Sequence, residues 1–120
     1  MVEDLDEKLF KEKIFNFDED SDAPMLINKD TIIEFWVTWC PHCKAMVPRY
    51  EMVSEEFPQI SCYRIELEKH PDLAKLFNVA SFPTFIFITS AGRVEKYVGE
   101  ITEEELAHMV KEVFCVKPQQ

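Results

Sequence analysis

The stretch "EFWVTWCPHCKAMVPRYEMV", Glu34 to Val53, holds two cysteines separated by a proline and a histidine. Ahead of it, "TIIEFWV" is an almost continuous apolar run, the mark of a strand buried on both faces. Behind it, "CPHCKAMVPRYEMVSEEF" reads as a helix. Met46, Tyr50, Val53 and Phe57 recur along one face. Pro41 suits the first helical position, where an N–H would be unpaired anyway, and Pro48 is expected to kink the helix. Cys40 therefore sits at the mouth of a helix, where free backbone N–H groups and the positive dipole end stabilise a thiolate. Cys43 lies one turn in, shielded, and close enough to close a disulfide. A CxxC placed this way is a redox arrangement: Cys40 attacks and Cys43 resolves the mixed disulfide.

Two other readings of the pair are weaker. Zinc needs four ligands, and only Cys40, Cys43 and His42 are at hand. No metal site is expected. A disulfide closing so small a loop would remove little chain entropy, so a purely structural role is disfavoured. Cys62, mid-strand, and Cys115, at the end of the last helix, are expected to be buried, inert thiols.

The 120 residues point to one domain, and 47% apolar content with ten phenylalanines is enough for a core. The formal charge is −10. This serves solubility and argues against nucleic acid, which needs a basic face. Acidic residues are densest in "DEDSD", Asp18 to Asp22, and "EEE", Glu103 to Glu105. No apolar run approaches the roughly 18 residues of a membrane span. The charged start, "MVEDLDEKLFKEK", has no apolar segment of a secretory signal. Gly92 and Gly99 are the two glycines, which excludes a Gly-rich phosphate loop or dinucleotide fingerprint.

The remaining elements follow from periodicity. A first helix is expected at about 5–15, capped by Asp4 or Asp6, then an acidic loop to about residue 24. "MLIN" is a candidate short strand. "ISCYRIEL" is a strand and "HPDLAKLF" a short helix. "TFIFIT" and "RVEKYV" flank "SAGR" as a hairpin. Thr102 opens the last helix with Glu105 as a capping box, and Leu106, Met109, Val110, Val113 and Phe114 form its apolar stripe. The order α–β–α–β–α–β–β–α implies an α/β fold: a central mixed sheet of about four strands with helices on both faces.

"EFWVTWCPHCK", "FPTF" forty-odd residues on, and "YVGEIT" before the last helix resemble the thioredoxin family in order and spacing, from about Thr31 to Phe114. The first third fits less well: the family opens with a strand, and none is evident. The resemblance implies a thioredoxin fold and a thiol–disulfide oxidoreductase with no bound cofactor. It makes Cys40 the exposed nucleophile and Cys43 the resolving thiol. It also implies that Trp39 shelters the site and that Pro83 follows a cis peptide bond beside the CxxC. Phe82 would offer its backbone to an extended substrate by β-type pairing, and Gly99 would lie across that groove. Pro48 matches the kinking proline.

Glu34 matches a buried family carboxylate that is Asp in thioredoxins and Glu in protein disulfide isomerases. An acid inside "TIIEFWV" is costly to bury unless paired or neutral, and its pKa should then rise. It would take the proton of Cys43. On the residues alone, an exposed strand face is the alternative. Arg64 stands where the family has a lysine. It stays charged, so it can pair with Glu34 but cannot share a proton, which would lower the Glu34 pKa and weaken the relay. Ala80, Ser81 and Glu100 also depart from the pattern and make the groove less basic and more acidic, which bears on how a reductase docks.

His42 sets the direction. Pro-His between the cysteines is shared with periplasmic oxidases of the DsbA type and with some small reducing thioredoxins. A histidine here can donate an N–H or positive charge to the Cys40 thiolate and make the disulfide more oxidising. The expected potential lies between about −270 mV and about −120 mV, limits roughly 7 kcal/mol apart. Some thirty residues separate the CPHC helix from "FPT", too few for the helical domain inserted in those oxidases. The expected partners are protein disulfides and a thioredoxin-reductase-like or other dithiol electron donor, with no nucleic acid and no membrane. A cytoplasmic monomer is expected, or a periplasmic or secretory one if a signal has been removed. The alternatives are an oxidase or isomerase role, and a binding module of the same fold.

Overall fold

The computed structural model describes residues 1–17 and 25–119; the acidic run Asp18 to Asp22 lies outside them. The elements are β1 Val2–Asp4, α1 Glu7–Lys13, β2 Thr31–Trp36, α2 Pro41–Glu56, β3 Ser61–Glu66, α3 Pro71–Leu76, β4 Thr84–Ile88, β5 Val94–Val98 and α4 Glu103–Phe114. They form one sheet in the order β1-β3-β2-β4-β5. β1 and β2 flank β3 in parallel. β4 runs antiparallel to both β2 and β5.

The sheet thus has one strand more than the periodicity marks. β1 is three residues long, with only Val2 half-buried, so no alternation is visible. It is held by pairing Val2, Glu3 and Asp4 with Cys62, Tyr63 and Arg64. "MLIN" is the opposite case. Its residues have strand-like composition but form no strand. The caps fall where side-chain chemistry puts them. Asp6 accepts the Leu9 N–H at 2.8 Å to start α1, and Thr102 accepts the Glu105 N–H at 3.1 Å to start α4.

Alternation along β2 divides the core. Ile32 faces α2 and α4, packing with Met46, Tyr50, Phe85 and Leu106. Ile33 and Phe35 face the other way, packing with Phe10, Ile65 and Leu73 from the side of α1 and α3. Thr31 to Phe35 are all buried, as a strand covered on both faces requires. Tyr50 ties α2 to the sheet: its hydroxyl lies 3.0 Å from the Ile32 carbonyl and 2.9 Å from the Tyr63 carbonyl and shares its one proton between them. Pro48 lies inside α2, where it has no N–H to give the Lys44 carbonyl. No described helix is long and apolar enough to cross a membrane.

Cys62 is buried as expected, but Cys115 is exposed. The apolar stripe of α4 ends at Phe114. Cys115 takes the C-cap in the left-handed region (φ +54°), so it leaves the helical face instead of continuing it.

Candidate active site

The C-terminal end of β2 delivers the chain into the first turn of α2. Cys40 is the N-cap of that helix, with extended backbone angles, and Pro41 is its first residue. The Cys40 Sγ accepts the Cys43 N–H at 3.1 Å, which places the two thiols side by side at the helix start. Both are unbridged. Cys40 differs from the exposed thiol implied by the resemblance: it is 1% exposed. It packs with Val37 and Cys43 in a small cluster bordered by Trp36, Leu67 and Phe82. Trp39 stands outward at 60% exposure. It meets Phe82 edge-to-face at 5.0 Å and donates its indole N–H to Glu68 at 3.0 Å.

The Phe82–Pro83 peptide is cis. Gly99, at φ +109°, gives its N–H to the Pro83 carbonyl at 2.8 Å, so the loops before β4 and after β5 meet beside α2. A side chain is strained at that φ, which makes glycine the fitting residue.

Glu34 is fully buried, which removes the solvent-facing alternative. One carboxylate oxygen accepts from the Arg64 Nε at 3.0 Å. The other has no hydrogen-bond partner among the described residues. The Arg64 guanidinium lies 4.2 Å over the Trp36 ring, and Glu34 and Arg64 are register partners on adjacent strands. Burial pushes the Glu34 carboxyl from 4.5 up to about 7, while the Arg64 charge and hydrogen bond pull it down. Burial outweighs the arginine. The Cys43 thiol is pushed up to about 12, mostly by burial, then by its hydrogen bond with Cys40, with the Glu34 charge adding to the rise.

No hydrogen bond joins His42 to the Cys40 sulfur among the described residues. Its side chain is 71% exposed, and its Nδ1 lies 2.8 Å from Glu100 Oε1. The other Glu100 oxygen accepts from Arg49 at 2.9 Å, and Arg49 also donates to the Ile101 carbonyl at 3.0 Å. Sequence reading singles out Glu100 only as an acidic departure and does not find Arg49 or Glu68. Glu100 lies 51 residues from Arg49 and 58 from His42, so no local pattern joins them. Among the described residues, no group of three or more His, Cys, Asp or Glu side chains is placed to hold a metal ion.

The thioredoxin family model matches residues 5–112. Thioredoxin of Borreliella burgdorferi is 29% identical over 115 residues, covering 95% of this chain and 98% of that protein. The chloroplastic thioredoxin Y1 of Arabidopsis thaliana is 30% identical over 102 residues, 82% of this chain and 59% of its own length. Protein disulfide-isomerase A4 of Bos taurus is 37% identical over 103 residues, 82% of this chain but 15% of that protein. The fold is that of chloroplastic thioredoxin z, with a TM-score of 0.76, 21% identity and 93% of each chain covered. A poplar thioredoxin h gives a TM-score of 0.75 at 23% identity, covering 93% of this chain and 95% of that one. With its cysteines adjacent at the head of α2, the chain belongs to the thioredoxin family and is a thiol–disulfide oxidoreductase.

Proposed function

We propose that the protein reduces disulfides in other proteins through Cys40, with Cys43 resolving and Glu34 taking the resolving proton. The Cys40 thiolate attacks a substrate disulfide, and one substrate sulfur leaves as a thiolate that takes a proton from solvent. Cys43 then passes its proton to Glu34 and attacks the Cys40 sulfur. This releases the second substrate sulfur as a thiolate, which takes a proton from solvent, and leaves a Cys40–Cys43 disulfide. Two electrons have moved to the substrate, and a dithiol donor of the thioredoxin-reductase class restores the pair. The observation that carries this reading is the buried carboxyl. A thiol pushed up to about 12 needs a base, and Glu34, near 7, is poised to exchange a proton at neutral pH. The Phe82 backbone makes no hydrogen bond among the described residues, which supports its pairing with an extended substrate beside Pro83 and Gly99. Trp39 and Phe82 supply the apolar wall. A reducing compartment such as the cytoplasm is part of the proposal, supported by two further unbridged thiols, Cys62 and Cys115.

Insulin reduction driven by dithiothreitol tests this. The expected outcome is turnover that Cys40→Ser abolishes, with Cys43→Ser accumulating a mixed disulfide. An inert wild type with both thiols titratable would support a binding module instead. His42 favours a second reading, a more oxidising or isomerase-like couple. Equilibration with glutathione separates the two: a potential at or below about −270 mV rejects it.

A further inference from the structure

Glu100 sits on a segment pinned at three places. On one side, the Gly99 N–H bonds the Pro83 carbonyl at 2.8 Å. On the other, the Ile101 N–H points at Met46 Sδ at 3.5 Å, and its carbonyl accepts from Arg49. The carboxylate itself is occupied at both oxygens, by Arg49 and by His42. The hydrogen bond from His42, then that from Arg49, hold its carboxyl below the usual range, so it is ionised at neutral pH. His42 has no comparable constraint. Its side chain is mostly exposed, on the first turn of α2 within two residues of Cys40. The fixed partner is therefore Glu100, and the movable one is His42.

We propose that Glu100 is a positioning residue that holds the His42 imidazole away from the Cys40 sulfur and keeps the CPHC couple on the reducing side. This rests on Cys40 and Cys43 being the exchanging pair. Freed from the carboxylate, His42 would turn an N–H toward the Cys40 thiolate, stabilise the dithiol state and make the disulfide a stronger oxidant. Arg49 holds the other carboxylate oxygen and keeps the Glu100 side chain in place.

The test equilibrates the protein disulfide and two glutathione thiols against the protein dithiol and glutathione disulfide. Glu100→Gln should shift this equilibrium toward the dithiol by about tenfold, or about 30 mV for a two-electron couple. In a His42→Gly background the same change should shift it by less than about threefold, because the two residues act as one unit. A full tenfold shift in both backgrounds would mean that the carboxylate acts on the thiolate directly, and would overturn the proposal. So would no shift, or a shift toward the disulfide. Insulin reduction by the wild type is measured alongside. If it is present while Glu100→Gln is silent, the fault lies with Glu100; if it is absent, the exchanging pair itself is misassigned.

Discussion

A carboxyl with no solvent contact must be neutral or paired, and Glu34 is held between the two. Arg64 covers one oxygen, yet burial still lifts the group to about 7. The folded pKa is raised above the ordinary value, so the stabilising protonation is complete below about 4.5 and is lost as pH rises through 7. Over that window Glu34 should remove about 3 kcal/mol of stability, at about 1.4 kcal/mol per pH unit. Denaturant titrations across pH 4.5 to 7 should show this decline in the wild type and a flatter profile in Glu34→Gln. The kinetic sign is opposite. With the ionised carboxylate as the proposed proton acceptor, resolution of the mixed disulfide should speed up as pH rises through about 7. Glu34→Gln should slow resolution by about a hundredfold and abolish that inflection. The presence of an acid inside an apolar strand is readable from the sequence. The outcome of its pairing with Arg64 is not, because it depends on how deeply the fold buries the carboxyl. The burial of Cys40 is hidden for the same reason: Leu67 and Phe82, which border it, arrive from distant loops.

Elements with a full period of apolar positions are legible, and those held only by pairing are not. α2, α4 and the β4–β5 hairpin lie where spacing and turn chemistry put them, with Gly92 at φ +93° in the hairpin turn. β1 escapes notice because three residues cannot display alternation, and its strand state comes from β3. "MLIN" misleads in the other direction, since composition alone does not supply a pairing partner. The tie between α2 and the sheet is also silent in the sequence. Tyr50 reads as one more apolar stripe residue, yet its buried hydroxyl bridges carbonyls of β2 and β3. Tyr50→Phe keeps the ring and its edge-to-face contact with Phe85 at 5.5 Å, and removes only the oxygen. Stability should fall by about 1–3 kcal/mol, with the urea midpoint lower and the slope unchanged. A neutral result would mean that the two carbonyls are satisfied without it.

Sheet order builds the site from the whole chain. β2 ends where β4 begins, since Phe35 pairs with Thr84, and β5 ends beside both, since Thr84 pairs with Val98. The Cys40 turn, the Phe82–Pro83 bond and Gly99 therefore converge although tens of residues separate them. Charges of both signs converge with them. Glu68 receives the Trp39 indole and Glu100 receives His42, while Arg49 and Arg64 are each taken up by a carboxylate. The chain as a whole carries −10. A large net negative charge raises the encounter rate of positively charged partners and lowers that of like-charged ones. A disulfide peptide flanked by lysines should thus be reduced faster than one flanked by glutamates, by about tenfold at low salt. The advantage should come from association, leaving the rate at saturating peptide nearly the same. Salt separates this from a contact-based preference, because the screening length shrinks to about 3 Å at 1 M. The ratio should collapse toward one in 1 M salt. A ratio that survived would place selectivity in direct contacts at Trp39 and Phe82 instead of in the field, and equal rates at low salt would show that the charge steers nothing.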